Sequence, residues 1–237
     1  MTPTLLYLAD RRGEQFQQAR MSVDVVCAGD SITGWNNYGR VRSWGYRSYP
    51  KFLQESCVPL GLSVANCGIA GEISDNGVFQ VREYLTLFPH ARYFVIGFGT
   101  NDLGSGPDFR GTSSRILANL EQMVQAVVQQ AKKPVLFNVP YGNPFRMSAA
   151  AAQEANAKRD YHNPRLSQFC ERLGLPLADV CSRLLADEHF ADELHPSDVG
   201  ARIIAEEVFK VLGRVVKREN EGGVREGRVG KGENGKD

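Results

Sequence analysis

The 237-residue chain has no apolar run approaching the ~20 residues that a membrane-spanning helix requires, which argues against an integral membrane segment. It also lacks a charge imbalance. Lysine and arginine total 28 against 27 aspartates and glutamates, and a formal charge of +1 provides no field for gathering nucleic acid or an anionic membrane surface. The first 21 residues hold only a short apolar piece, Leu5 to Leu8, followed by charged and amide side chains where a signal peptide would carry its apolar core. Cysteine is scarce and unpaired in pattern: Cys27, Cys57, Cys67, Cys170 and Cys181 form an odd set without a C-x-x-C pair, unlike a zinc site or a disulfide framework. Such residues read as small buried thiols of a reducing, cytoplasmic environment. No internal repeat of solenoid or propeller period is present.

What the chain does have is a recurrent alternation. Short apolar, β-branched runs, "VDVVCAG" (23–29), "LSVANCG" (62–68), "YFVIGFG" (93–99), "PVLFNVP" (134–140) and "LPLADV" (175–180), are nearly continuous in hydrophobicity, as strands covered on both faces must be. Helical stretches are expected between them at 44–56, 75–87, 113–131 and 148–173, and a last helix begins at a Ser197 cap. In the third stretch Ile116, Leu117, Leu120, Met123, Val124, Val127 and Val128 recur at spacings of three and four, the stripe a helix lays on a sheet. Pro164 is expected to break the fourth, with Asn163 as a cap. Strand and helix alternating in this way predict an α/β protein with a three-layer α/β/α, doubly wound five-stranded parallel sheet, flavodoxin-like, in strand order 2-1-3-4-5. The expected division is an N-terminal extension at 1–21, one domain at 22–213 and a charged, glycine-rich disordered tail at 214–237. Either Met1 or Met21 can serve as the start.

In doubly wound sheets ligands bind beyond the carboxyl ends of the strands, so the loops after each strand are where chemistry is sought. The first, "GDSITG", sets Ser31 directly after a buried strand. The second, "NCGIAGEIS" (66–74), offers Gly68 and Gly71, where the backbone can approach a ligand closely. The third, "GTND" (99–102), ends with the side-chain amide of Asn101. Far downstream, "FADELHPSDVG" places Asp192 and His195 three residues apart just before the last helix. A serine hydroxyl is a weak nucleophile near neutrality. It needs an imidazole to take its proton and a carboxylate to hold that imidazole's tautomer and angle, and Asp192-x-x-His195 carries both. The oxyanion formed on attack needs hydrogen-bond donors, for which the Ser31 and Gly71 amides and the Asn101 side chain are candidates. Asp30 reads as a turn-bonding residue and Asp102 as a tie between its loop and the Ser31 loop.

The blocks "GDSIT", "GIAGEIS", "GTND" and "DELHPSDVG", in this order and spacing, resemble the four sequence blocks of the SGNH, or GDSL-type, hydrolases, from Val23 to about Leu212. Each block alone is ordinary turn vocabulary; the specificity lies in all four following the expected elements. The resemblance implies that Ser31 is the nucleophile and His195 the base, with Asp192 orienting it, and that Ser31, Gly71 and Asn101 form the oxyanion hole. Gly68 competes with Gly71 for its position. The first block carries Ile32 where the family name has leucine.

The reading is a serine ester hydrolase (esterase, lipase or acylhydrolase) that cleaves a carboxylic ester through an acyl-serine intermediate. It needs no metal or organic cofactor, and its partner is a small-molecule ester. A short-chain acyl or acetyl ester is preferred because no long apolar lid is evident, and "YGNPFRMS" (141–148) is expected to border the pocket, with Trp35, Trp44, Tyr46 and Phe145 as possible walls. The alternative is a binding module that kept the fold without turnover. A nucleotide or flavin binder fits less well, because "GDSITG" lacks the lysine and glycine spacing of a phosphate-binding loop and G-x-G-x-x-G is absent after the first strand. Nothing in the composition specifies an oligomeric state.

Overall fold

Five short parallel strands lie side by side in the order β2-β1-β3-β4-β5 in the computed structural model, which describes residues 22–34, 47–105 and 108–229. The strands are β1 (Val25–Gly29), β2 (Val64–Gly68), β3 (Tyr93–Gly97), β4 (Lys133–Phe137) and β5 (Leu177–Ala178). The helices are α1 (Ser31–Gly34), α2 (Tyr49–Cys57), α3 (Ser74–Leu87), α4 (Thr100–Ser105), α5 (Phe109–Gln129), α6 (Ala149–Leu173) and α7 (Asp198–Val229). Every residue of β1 and β3 is buried, because helices cover both faces and each alternate side chain meets a different core. Val26, Ala28, Phe94 and Ile96 pack with Val81, Tyr84, Ile116, Leu120 and Met123 of α3 and α5 and with Leu166 and Phe169 of α6. Val25, Cys27, Tyr93 and Val95 pack on the opposite face with Phe52 and Leu53 of α2 and Ile204, Val208 and Leu212 of α7. The layered α/β/α arrangement and its strand order are those expected from the alternation of runs.

Three local expectations are corrected. Pro164 does not break α6, which runs through it from Ala149 to Leu173. Proline removes the hydrogen bond to the carbonyl four residues back, and here both Pro164 and Asp160 are exposed, so water can satisfy that carbonyl. The flanking residues are anchored instead: Asn163 Oδ1 accepts from Val139 N–H at 3.0 Å, and Asn163 Nδ2 donates to Val139 O at 2.9 Å. Secondly, β5 spans two residues rather than six. Asn138 Oδ1 accepts from both Val180 N–H (2.9 Å) and Cys181 N–H (2.8 Å), so a side chain replaces the ladder where the edge strand turns away. Thirdly, the segment from Arg214, expected as disordered tail, continues α7 to Val229. Val215 and Val216 extend the stripe of Val208, Val211 and Leu212 onto the sheet, and the Tyr93 hydroxyl donates to the Glu219 carboxylate. The rest of that tail and the 1–21 extension lie outside the described residues, as do Trp35, Trp44 and Tyr46.

All five cysteines are buried and unbridged. No helix among the described residues is long and apolar enough to cross a membrane.

Candidate active site

Strand order reverses between β1 and β3, which leaves a crevice at their carboxyl ends, and the Ser31 and Asn101 loops flank it. β1 ends at Gly29, and Asp30 then folds the chain sharply. Its side-chain Oδ1 accepts from Ile32 N–H at 2.9 Å while its carbonyl accepts from Thr33 and Gly34 at 3.1 and 2.9 Å. Ser31 thereby opens α1, where its own N–H has no helical partner four residues back. Burial raises the Asp30 carboxyl to about 6, against the pull of its amide partners.

Two glycines after β2 divide their work. A Cβ on Gly68 would stand 2.3 Å from Gly34 N, so Gly68 is required for close packing of β2 on α1, and its N–H donates to Asn66 Oδ1 at 3.1 Å. Gly71 has φ +81°, open space where a Cβ would project, and an N–H with no partner among the described residues. The loop carrying it is fixed to the β3 loop at two points. Asn101 Nδ2 donates to Glu72 O at 2.8 Å, which leaves its second amide hydrogen for a ligand, and the fully buried Asp102 carboxylate accepts from Ser74 N–H and, at 2.6 Å, from Ser74 Oγ. Asp102 thus ties its loop to the start of α3, not to the Ser31 loop as the sequence suggested. Asn119 of α5 donates to Ser74 Oγ at 2.9 Å and completes this buried cluster.

His195 and Asp192 arrive from the segment before α7. His195 Nε2 lies 3.0 Å from Ser31 Oγ, across 164 residues of chain, and His195 Nδ1 lies 2.8 Å from Asp192 Oδ2. An ionised carboxylate can only accept, so Nδ1 carries the proton and Nε2 is left as an acceptor for the serine hydroxyl. Asp192 Oδ1 accepts from the backbone of Leu194 and His195 at 2.8 and 2.7 Å. Burial alone would raise the Asp192 carboxyl, but those two amides and the imidazole together hold it below the ordinary carboxylate value.

Residues that the sequence gave no reason to single out hold this segment in place. Asn143, fully buried in the loop after β4, donates from its backbone to Glu193 O at 2.8 Å and from its side chain to Asp187 Oδ1 (2.8 Å) and Asp192 O (3.4 Å). Arg146 donates to Asp187 Oδ1 at 2.9 Å and Ala191 O at 2.6 Å. Forty or more residues separate the partners, so no local spacing could announce them. Gly142 and Met147 of the same loop border a cleft of about 590 Å³, as do Gly71, Thr100, Asn101 and Leu194. Phe145, expected as a wall, is 66% exposed and does not line the cleft. Among the described residues no group of three or more histidine, cysteine, aspartate or glutamate side chains is placed to hold a metal ion.

A hydroxyl, an imidazole and a carboxylate in sequence at the switch point of a doubly wound sheet are the arrangement of a hydrolase, and the wider comparisons agree with that class. The chain belongs to the GDSL-like lipase/acylhydrolase family, whose model matches residues 27–203. No curated protein sequence matches it, but many solved structures share its fold. A lipase/acylhydrolase from Enterococcus faecalis is 22% identical, with a TM-score of 0.63 over 81% of this chain and 96% of its own. A carbohydrate acetylesterase family member from Sinorhizobium meliloti is 18% identical, with a TM-score of 0.63 over 80% and 97%. An acetylxylan esterase from Geobacillus stearothermophilus, solved as a catalytic mutant, is 20% identical, with a TM-score of 0.61 over 81% and 94%. At such identities the likeness is one of fold.

Proposed function

We propose that the protein is a serine ester hydrolase that cleaves a carboxylic ester, preferring a short-chain acyl or acetyl group, through an acyl-Ser31 intermediate. The observation that carries this reading is the unbroken relay Ser31 Oγ, His195 Nε2, His195 Nδ1, Asp192 Oδ2, with contacts of 3.0 and 2.8 Å.

In the first half-reaction His195 Nε2 takes the Ser31 proton as Oγ bonds to the ester carbonyl carbon. The carbonyl π electrons move to oxygen, and the resulting oxyanion accepts hydrogen bonds from Ser31 N–H, Gly71 N–H and Asn101 Nδ2. The tetrahedral species collapses, the bond to the alkoxy oxygen breaks, and the imidazolium returns its proton to the departing alcohol. Water then enters, gives a proton to His195 and attacks the acyl carbon; collapse releases the carboxylic acid and reprotonates Ser31. Asp192 remains ionised throughout and stabilises the imidazolium. The small acyl preference accords with the acetylesterase neighbours, whose own substrates belong to those proteins. Five unpaired buried thiols accord with a reducing cytoplasmic setting.

The test is stoichiometric labelling by a fluorophosphonate together with turnover of p-nitrophenyl acetate. One label per chain, lost along with turnover in Ser31→Ala, is the expected result. Undiminished hydrolysis by that variant would overturn the reading, and a chain that neither labels nor turns over any ester would be a binding module.

A further inference from the structure

The cleft bordered by Gly71, Asn101 and Leu194 has mostly apolar walls, among them Ile73, Leu103, Met147 and Ala151. Arg159 of α6 also lines it, yet this residue is only 3% exposed. Its Nε donates to Pro140 O at 2.6 Å and its Nη1 to Ala155 O at 2.7 Å. Those carbonyls satisfy donors but bring no countercharge. Among the described residues Nη2 has no hydrogen-bond partner, and no carboxylate lies within ion-pair distance of the guanidinium. The neighbouring Lys158, by contrast, has Glu154 at 3.0 Å.

Burial of an arginine without a carboxylate is costly, and burial accordingly draws this guanidinium below its ordinary pKa. Two acidic groups act on it through space without touching it. Burial pushes the Cys181 thiol up to about 11, which keeps it neutral near pH 7, and the Asp30 carboxyl, raised to about 6, makes no contact with the guanidinium. The cleft also reaches Gly71 and Asn101, and its other charged lining residues are the Lys158–Glu154 pair and the exposed Glu193, so the desolvated charge of Arg159 has no contacting countercharge among the described residues until an anion enters.

We propose that Arg159 receives an anionic group of the ester substrate, a carboxylate or phosphate, so that the cleft selects esters bearing such a group over neutral ones of the same size. The proposal rests on the serine hydrolase reading and adds the substrate's charge. Apolar walls with a buried, unpaired cation set among them, beside the mutually paired Lys158 and Glu154 and the exposed Glu193, fit a short carbon skeleton carrying an anion.

Matched ester pairs decide it. On the acyl side, p-nitrophenyl glutarate monoester is compared with p-nitrophenyl pentanoate; on the alcohol side, 4-acetoxybenzoate is compared with 4-acetoxybenzamide. In Arg159→Gln the anionic-to-neutral ratio of kcat/KM is expected to fall about ten- to a hundredfold in one arm, the range for a hydrogen bond to a charged group, while the neutral ester changes little. The arm that responds tells which side of the ester carries the anion. An equal fall for both members of each pair would mean that Arg159 only braces Pro140 and Ala155, and it would overturn the proposal. Should Arg159→Gln fail to fold, the wild-type protein supplies the second measurement. Free glutarate or inorganic phosphate should slow fluorophosphonate labelling of Ser31 where neutral glutaramide does not, and equal effects of glutarate, phosphate and glutaramide would reject the subsite. Neutral esters turned over through Ser31 without any charge preference would remove the Arg159 subsite and leave the hydrolase reading standing. Neutral turnover that survives Ser31→Ala would remove the hydrolase reading itself.

Discussion

Among the described residues two serine–histidine pairs have nearly the same length. Ser31 Oγ lies 3.0 Å from His195 Nε2, and Ser113 Oγ lies 2.9 Å from His162 Nδ1. Their surroundings differ. His195 has a carboxylate on its other nitrogen and belongs to a half-exposed segment beside a cleft. Both His162 and Ser113 are completely buried between α5 and α6, and the second ring nitrogen of His162, Nε2, has no partner among the described residues. Burial first, and then Arg165 nearby, lowers the His162 imidazole to about 4, so it stays neutral at any physiological pH. A hydroxyl beside an imidazole is therefore not by itself a nucleophile. An orienting acid and access to a cleft are what a packing pair lacks and what the proposed function requires of Ser31 and His195.

The sharpest break of this comparison is Ser31→Ala set against Ser113→Ala. Ser31→Ala should reduce ester turnover by about a thousandfold or more and abolish fluorophosphonate labelling. Ser113→Ala should keep both, measured at matched folded fraction. Next comes Asp192→Asn, which makes the contacts of His195 resemble those of His162. With the wrong tautomer favoured, kcat should fall by roughly a thousand- to ten-thousandfold while far-ultraviolet circular dichroism stays unchanged. A smaller effect is expected from Asn143→Ala, which leaves the reacting groups intact and loosens the segment holding them. Labelling of Ser31 should slow about tenfold, with about 1–3 kcal/mol lost in denaturant unfolding from the buried bonds removed.

The least change in activity and the clearest change in pH behaviour belong to His162→Gln. A histidine whose folded-state value lies near 4 rather than 6.5 takes up its proton more readily when unfolded. Stability therefore rises with pH between about 4 and 6.5 on its account, by on the order of 3 kcal/mol in total. Asp30, raised from 3.8 to about 6, works in the opposite direction, because its folded form holds the proton that the unfolded chain releases. The wild-type profile is flattened by this opposition. His162→Gln should leave stability declining from pH 4 to 6, a slope readable in urea unfolding; an unaltered profile would contradict the assignment.

These contrasts mark which side chains a sequence can bring forward for the structure to assemble. Ser31, Asp192 and His195 stood out because each follows a strong local signal: a buried strand ending in a turn, or an acid three residues from a histidine. The choice between Gly68 and Gly71 was not available at that level. It turns on a 2.3 Å clearance against Gly34 and on the left-handed φ of Gly71, both products of packing. The helix through Pro164 is hidden from the sequence for a related reason: the penalty of proline is local, whereas Asn163 is anchored to Val139, 24 residues away. The continuation of α7 beyond Arg214 was missed because glycine and mixed charge masked Val215 and Val216, whose stripe gains meaning only against the sheet.

By itself the amino-acid order determined the layer architecture and the strand order, because hydrophobic period and right-handed connection are local properties that leave few arrangements open. Only the tertiary structure decided which serine–histidine pair has a carboxylate on its imidazole and, among the described residues, which glycine amide is left without a partner and that Arg159 is buried without a contacting carboxylate. Each of these depends on which distant groups share one small volume, and burial changes the energy of a charge or a hydrogen bond far more than any neighbour in sequence can.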